Sequence, residues 1–300
     1  MCGIDGSPMT NIDESTLLIF CPAWGQKHLD CLRRYALPSV MQSGNLPACG
    51  YKHILIYGTT VGSSDPLRQV LSDGIKLPSV EIWCVNYESG DAALLDGLRR
   101  AIQLCINHRT RMLLMMPDTI IANGGIFNMR QYARGKPVSV AAPHLRVTSA
   151  PFAYRDTFGT IEPRILVQFA LGHPAHQATT DSYCDKDHGT LTGAISLTRI
   201  SERLTTIIHY VPTVYLAWFT ESDAAFFSRA PLFCEYDRSW DKHLESEGRL
   251  RVFGSSELFF AVELTDPDKN RIAVVPGSRL EEHSEFGCKN LKPFVGVLHG

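Results

Sequence analysis

The chain has 300 residues, 44% of them hydrophobic and 20% charged, a balance that suits a packed globular fold and excludes a disordered one. Its 29 Lys and Arg oppose 31 Asp and Glu for a net charge of −2, so it lacks the basic stripe that a nucleic-acid partner requires. No apolar run approaches the length of a membrane span and no basic-then-apolar leader is visible, which sets the expectation of a cytoplasmic protein without a membrane span.

Residues 1–15 are polar and broken by Gly3, Gly6 and Pro8, and read as a flexible tail. Leu17-Leu18-Ile19-Phe20 then forms a short apolar run that stops at Cys21-Pro22, the pattern of a buried strand entering a loop. Residues 26–42 carry helical spacing at Leu29, Leu32, Tyr35 and Ala36, with Pro38 expected to bend or end the helix and Gly44-Asn45-Leu46-Pro47 to close the unit. Apolar runs at 53–57, 80–85 and 111–116 repeat the strand pattern. Between the last two, residues 91–106 place Ala92, Leu95, Leu98, Ile102 and Cys105 on one helical stripe, with Asp91 expected to cap the first turn. A helix is expected over 125–134 and a strand over 138–142.

Alternation of strands and helices implies an α/β fold around a mainly parallel sheet, with the site at the carboxyl ends of its strands. The pattern then changes. A helix over 163–171 is followed by a polar, loop-like stretch at 173–190, and strand-like runs return at 207–218, 232–236, 258–264 and 271–275. The second half therefore reads as irregular mixed α+β. The nine cysteines are odd in number, form no CxxC pair and several sit in apolar runs, as Cys84 and Cys105 do, which predicts buried free thiols.

Asp118 is the most informative polar residue, because it directly follows the apolar run Met112–Met116. A carboxylate at the mouth of a parallel strand can hold a divalent ion that neutralises a diphosphate; the plain alternative is a turn carboxylate capping the next segment. Asn123-Gly124-Gly125 opens the following helix, where backbone N–H groups can meet phosphate.

Several segments, in order along most of the chain, resemble a group of bacterial proteins with a glycosyltransferase type A-like (nucleotide-diphospho-sugar transferase) fold. They are Phe20-Cys21-Pro22-Ala23-Trp24-Gly25 with His28-Leu29-Asp30, Tyr35–Ser39 and Gly44–Pro47; then Pro117-Asp118 with Asn123-Gly124 and Gly135-Lys136; then Ala170–Pro174; and fainter echoes at Phe227–Phe233 and Ser255–Glu257.

The resemblance implies a Rossmann-like domain that transfers a sugar from a nucleotide donor to a hydroxyl acceptor with manganese or magnesium. Residues 16–145 would be its nucleotide-binding half and 146–300 the acceptor-side half of the same compact domain. It implies Cys21, Trp24, Gly25, Asp91, Asn123 and Gly124 as nucleotide contacts and Asp118 with His173 at the metal. A base for the acceptor hydroxyl would come from Asp156, Glu221 or Asp223, with Glu162 a further carboxylate. Glu221 and Asp223 follow the run that ends at Trp218, and their plain alternative is a solvent-facing turn. The family's metal motif is Asp-x-Asp, and residue 120 here is Ile, so one carboxylate of the pair is missing.

Two other patterns point elsewhere. His173, His176, Asp181, Cys184, Asp185, Asp187 and His188 hold zinc-ligand residue types at loose spacing, consistent with a metal-dependent hydrolase or with a polar loop. Met1-Cys2-Gly3-Ile4 matches the start of class II glutamine amidotransferases over four residues, without the strand that follows in that family. A protein that holds a nucleotide or glycan without transferring it is the remaining alternative.

Overall fold

The computed structural model describes residues 12–142, 144–148, 160–172, 195–201, 204–209, 213–229, 239–265 and 294–299. Four strands expected from the apolar runs form the first half of a sheet: β1 (Thr16–Pro22), β2 (His53–Val61), β3 (Val80–Tyr87) and β4 (Arg111–Leu114). β1 pairs in parallel with β2 on one side and β4 on the other, and β2 pairs in parallel with β3. Period-2 alternation fixes both faces of β1. Leu17, Ile19 and Cys21 enter one core layer, while Leu18 and Phe20 enter the other.

The layer under Leu17 and Ile19 is built by α1 (Gly25–Cys31), α2 (Leu37–Val40), α3 (Leu46–Cys49), α4 (Asp65–Gly74) and α6 (Gly125–Ala133). α1 and α2 are one helix with a π-helical turn at Leu32–Ala36 between them. The widening falls just before Pro38, which has no N–H to continue an α-helical ladder, so the expected bend takes this form. The opposite layer is α5 (Gly90–His108), whose Leu98, Ala101, Ile102, Leu104 and Cys105 pack on Leu18, Phe20, Tyr57 and Met112. Its buried stripe is turned slightly from the expected one, since Ala92 and Leu95 are only half-buried. The cap is also not Asp91: the Ala92 N–H donates to Ser89 Oγ at 3.1 Å.

Among the described residues the central sheet has seven strands in the order β11-β6-β10-β4-β1-β2-β3, built further by β6 (Ser139–Ala142), β10 (Thr213–Ala217) and β11 (Leu250–Val252). β10 is antiparallel to both β4 and β6, and β11 is parallel to β6, so β10 alone opposes the other six. The expected single run at 207–218 is two strands in two sheets. β9 (Leu204–His209) lies between β8 (Ile195–Ser201) and β13 (Phe294–His299) in an antiparallel three-stranded sheet.

A second three-stranded sheet joins β5 (Thr119–Ile121), β12 (Ala261–Thr265) and β7 (His144–Thr148). Helix α7 (Pro163–Gly172) covers it through Leu166, Val167 and Ala170. Helices α8 (Glu221–Arg229) and α9 (Ser239–Ser246) complete the described elements.

The end of the expected tail is anchored. Asp13 N–H donates to the Arg109 carbonyl at 2.8 Å, and Glu14 pairs with buried Arg111 at 3.5 Å and accepts from Gly135 N–H at 3.0 Å. The strands expected at 232–236 and 271–275, and the loop expected at 173–190, lie outside the described residues.

Candidate functional site at the carboxyl edge of the central sheet

In an open α/β sheet the binding crevice lies outside the carboxyl ends of the strands, where the strand order reverses. Here that point is between β1 and β4. The β1 end is firmly placed: Ala23 N–H donates to the Thr59 carbonyl at 2.9 Å and Met115 N–H to the Phe20 carbonyl at 2.9 Å. Beyond it, Trp24 N–H donates to His28 Nδ1 at 3.4 Å, and the two rings meet edge-on at 4.9 Å. Gly25 takes φ +73° in open space, a conformation that a side chain would strain.

Trp24 meets the start of α5. A Cβ on Gly90 would lie 2.8 Å from the indole Cε2, so the helix begins against the ring. One more contact of the same kind, Gly97 on Thr59 at 2.7 Å, keeps α5 close to the sheet along two turns. Trp24, Gly25 and the exposed Asp91, expected to act together, are therefore brought together at one mouth. Cys21, expected beside them, is not. Its side chain is fully buried among the β1 layer residues and burial raises its thiol pKa steeply, so only the backbone at this position faces the crevice.

Asp118 sits on the far side of the switch point. It occupies the turn between β4 and β5, in which Thr119 N–H donates to the Met116 carbonyl at 3.3 Å. The Asp118 carbonyl accepts from Leu264 N–H at 2.9 Å, tying the turn to β12. Its side chain is half-buried at the carboxyl edge, while Ile120 is fully buried in the core of the second sheet.

Asn123 and Gly124, expected at the nucleotide, stand at the start of α6, where the Asn123 side chain binds within the protein. Asn123 Oδ1 accepts from Gly44 N–H at 2.8 Å, so close that a Cβ on Gly44 would fall 2.6 Å away. Buried Asn45 donates to the Ser39 and Ala122 carbonyls at 2.8 and 3.1 Å and accepts from Ile126 N–H at 3.1 Å. The Ile126 amide in the first turn of α6 is thus met by the segment that returns the chain to the amino end of β2. These residues clamp the fold, away from the crevice, and Glu162 joins the clamp through Asn123 Nδ2 at 3.5 Å.

Glu221 and Asp223 are also corrected. Because β10 runs against its neighbours, the chain leaves it at the amino edge of the sheet, beside Arg111, whose guanidinium stacks over Trp218 at 5.7 Å. Asp223 is fully buried there. Its Oδ2 accepts from Thr220 N–H at 2.7 Å, a capping-box contact, and its Oδ1 accepts from Arg249 at 2.8 Å and Trp240 Nε1 at 3.4 Å. Asp223, His243 and Glu247 have the chemistry of a cation site, but Arg249 already supplies the cation, bonding both carboxylates. Glu221 is exposed on the same edge. Neither reaches the crevice. Asp156, His173 and the rest of the cluster to His188 lie outside the described residues, as does Met1–Ile4.

The sequence reading missed a polar group at the carboxyl edge. His144 begins β7 just beyond β6, and its Nε2 is 3.2 Å from Glu263 Oε2 on β12 while its Nδ1 is 3.1 Å from Thr213 Oγ1 at the start of β10. Two signals were available: His144 follows a strand as Asp118 does, and Glu263 is a carboxylate inside the apolar run 258–264.

The strand order defines an α/β protein of the Rossmann-like type, with a mostly parallel central sheet flanked by helices. No family model matches the chain, and no curated protein matches it in sequence. Among solved structures it is similar to a Bacillus anthracis protein assigned as a glucose-1-phosphate thymidylyltransferase, at 11% identity and a TM-score of 0.37, over 79% of this chain and 85% of that one. It is also similar to a 4-diphosphocytidyl-2C-methyl-D-erythritol synthase, at 11% identity and a TM-score of 0.33, over 87% of this chain and 93% of that one. Likenesses this loose carry no argument; the fold stands on the strand order. Among the described residues no helix is long and apolar enough to cross a membrane.

Proposed function

We propose that the chain binds a nucleotide sugar across the carboxyl edge of its central sheet and transfers the sugar to a hydroxyl acceptor. The observation that supports this best is the pair of mouths flanking the switch point: Trp24 against the N-terminus of α5 on one side, and Asp118 on the turn after β4 on the other. The indole offers an apolar face to a base, and the exposed Asp91 carboxylate suits ribose hydroxyls. The resemblance of Phe20–Gly25 and Pro117-Asp118 to nucleotide-diphospho-sugar transferases agrees with this reading.

A divalent ion fits the donor set in a limited way. Ile120 withdraws the second carboxylate of the expected motif, but magnesium and manganese accept one or two carboxylates together with phosphate oxygens and water. Asp118 would hold the ion, which would neutralise charge on the diphosphate as it leaves.

One observation favours a second reading, binding without transfer: none of the expected acidic bases among the described residues lies at the crevice, since Glu221 and Asp223 are on the opposite edge. A thermal-shift screen of uridine, guanosine, thymidine and cytidine diphosphate sugars, with and without manganese, tests the binding they share, because a ligand specific to the folded state must raise the Tm. A rise for one nucleotide class, larger with manganese, is expected; no rise for any class contradicts both readings.

A further inference from the structure

Thr213, His144 and Glu263 form a hydroxyl–imidazole–carboxylate row suited to moving a proton. A carboxylate only accepts, so His144 Nε2 carries the hydrogen that faces Glu263 Oε2 at 3.2 Å. In the neutral imidazole Nδ1 then has the lone pair, and the Thr213 hydroxyl 3.1 Å away donates to it. In that tautomer the imidazole is placed to take the Thr213 proton. Hydroxyl, imidazole and carboxylate in this order are the parts of an activated nucleophile.

Position supports use of the relay rather than a simple clasp between the two sheets. β10 runs antiparallel to β4 and β6, and Thr213 pairs with Ala142, the last residue of β6, so Thr213 stands at the carboxyl edge. On the other flank, Leu264, the neighbour of Glu263, donates its N–H to the Asp118 carbonyl at 2.9 Å. The relay is therefore adjacent to the place assigned to the diphosphate. Its side chains are sheltered, His144 being 13% and Glu263 24% exposed.

We propose that Thr213 is a nucleophile that takes the sugar from the donor, activated by His144 and with Glu263 as the positioning carboxylate, so that transfer proceeds in two displacements with retention at the anomeric carbon. This rests on the nucleotide-sugar reading of the crevice. In the first step a lone pair on Thr213 Oγ forms a bond to the anomeric carbon. The bond from that carbon to the diphosphate oxygen breaks, its electron pair leaving on the nucleoside diphosphate, and the Thr213 proton passes to His144 Nδ1. In the second step an acceptor hydroxyl oxygen bonds to the anomeric carbon from the opposite face and its proton goes to the departed diphosphate. The bond to Thr213 Oγ breaks, and that oxygen recovers its proton from His144.

The test treats the full chain with diisopropyl fluorophosphate, a general electrophile for relay-activated hydroxyls, and maps the adduct by peptide mass spectrometry. Labelling at Thr213 is expected, retained in Thr213→Ser, absent in Thr213→Val, and slowed at least about 100-fold in His144→Asn. Glu263→Gln is expected to fall between, with thermal melts confirming that each variant folds. An unlabelled Thr213 in the wild type, or a labelling rate that His144→Asn leaves unchanged, overturns the relay. Calorimetric titration with nucleotide sugars runs in parallel. Binding without labelling removes the relay alone, and labelling without binding supports the relay while removing the nucleotide-sugar reading.

Discussion

Gly90 and Trp24 are locked together: the first residue of α5 lies so close to the indole that even a methyl group would sit 2.8 Å from Cε2. The nearest atoms belong to the rigid ring, so Gly90→Ala must displace it. The substitution is expected to cost about 1–3 kcal/mol, as overpacking does, and to shift the tryptophan emission of the native protein. Nucleotide affinity should fall with it. Urea denaturation and a fluorescence spectrum check both; an Ala variant with native stability and an unchanged spectrum would place the ring elsewhere.

The buried ion pair at the amino edge should matter for stability and not for binding. Asp223→Ala leaves the Arg249 guanidinium, 10% exposed, without its main partner and is expected to destabilise the fold by about 3–5 kcal/mol. Because that cluster lies at the other end of the strands, nucleotide-sugar affinity measured under native conditions should stay within a factor of about 2. A selective loss of affinity with unchanged stability would return Asp223 to the list of functional residues.

The same cluster gives a pH dependence. Burial alone would raise the Glu247 carboxyl, but donation from Ser222 at 2.8 Å and from Arg249 outweighs it, and the group titrates below the usual glutamate range. A carboxylate depressed in the folded state adds stability that is complete above its unfolded value and is lost as the pH falls through the folded one. The Tm should therefore decline on the acid side, below the ordinary glutamate pKa, and Glu247→Gln should flatten that limb while leaving the neutral region little steeper. A scan of Tm against pH for both proteins decides this.

The described cysteines Cys21, Cys31, Cys49, Cys84 and Cys105 are free thiols. Burial pushes Cys49 up to about 12, with the Arg130 charge drawing it down slightly, and raises the fully buried Cys21 and Cys105 further. At pH 8 these three should resist alkylation in the native protein and react at once in urea, as site-resolved mass spectrometry would show. A raised thiol also means that stability is complete below the unfolded thiol pKa and falls as the pH rises through the folded value.

The parts legible in the sequence were those governed by local pattern. β1, β2 and β4 are buried parallel strands and therefore read as apolar runs, β3 is an apolar run on the sheet's edge, and Asp118 was found because it follows such a run. Strand direction has no local signature. Nothing in Val214–Ala217 states that β10 opposes its neighbours, yet that reversal moves Glu221 and Asp223 from the expected crevice to the opposite edge. Asn123-Gly124 before a helix reads as a phosphate loop, whereas the bonds that join Gly44 to Asn123 and Asn45 to Ile126 are long-range and have no local signature. The His144 group left only separate signals at His144 and Glu263, and nothing local joined them, because its three members lie on strands far apart in the chain.

The central claim concerns the two mouths of the crevice, and calorimetry on wild type and Asp118→Asn tests it most directly. The substitution keeps size in a turn, so the fold should persist, while a neutral amide is a poor ligand for a hard cation. The account predicts that, with manganese present, affinity for the nucleotide diphosphate sugar falls at least about 10-fold, whereas affinity for the bare nucleoside, held against Trp24 and Asp91, changes little. Equal loss for both ligands, or loss for neither, would contradict it.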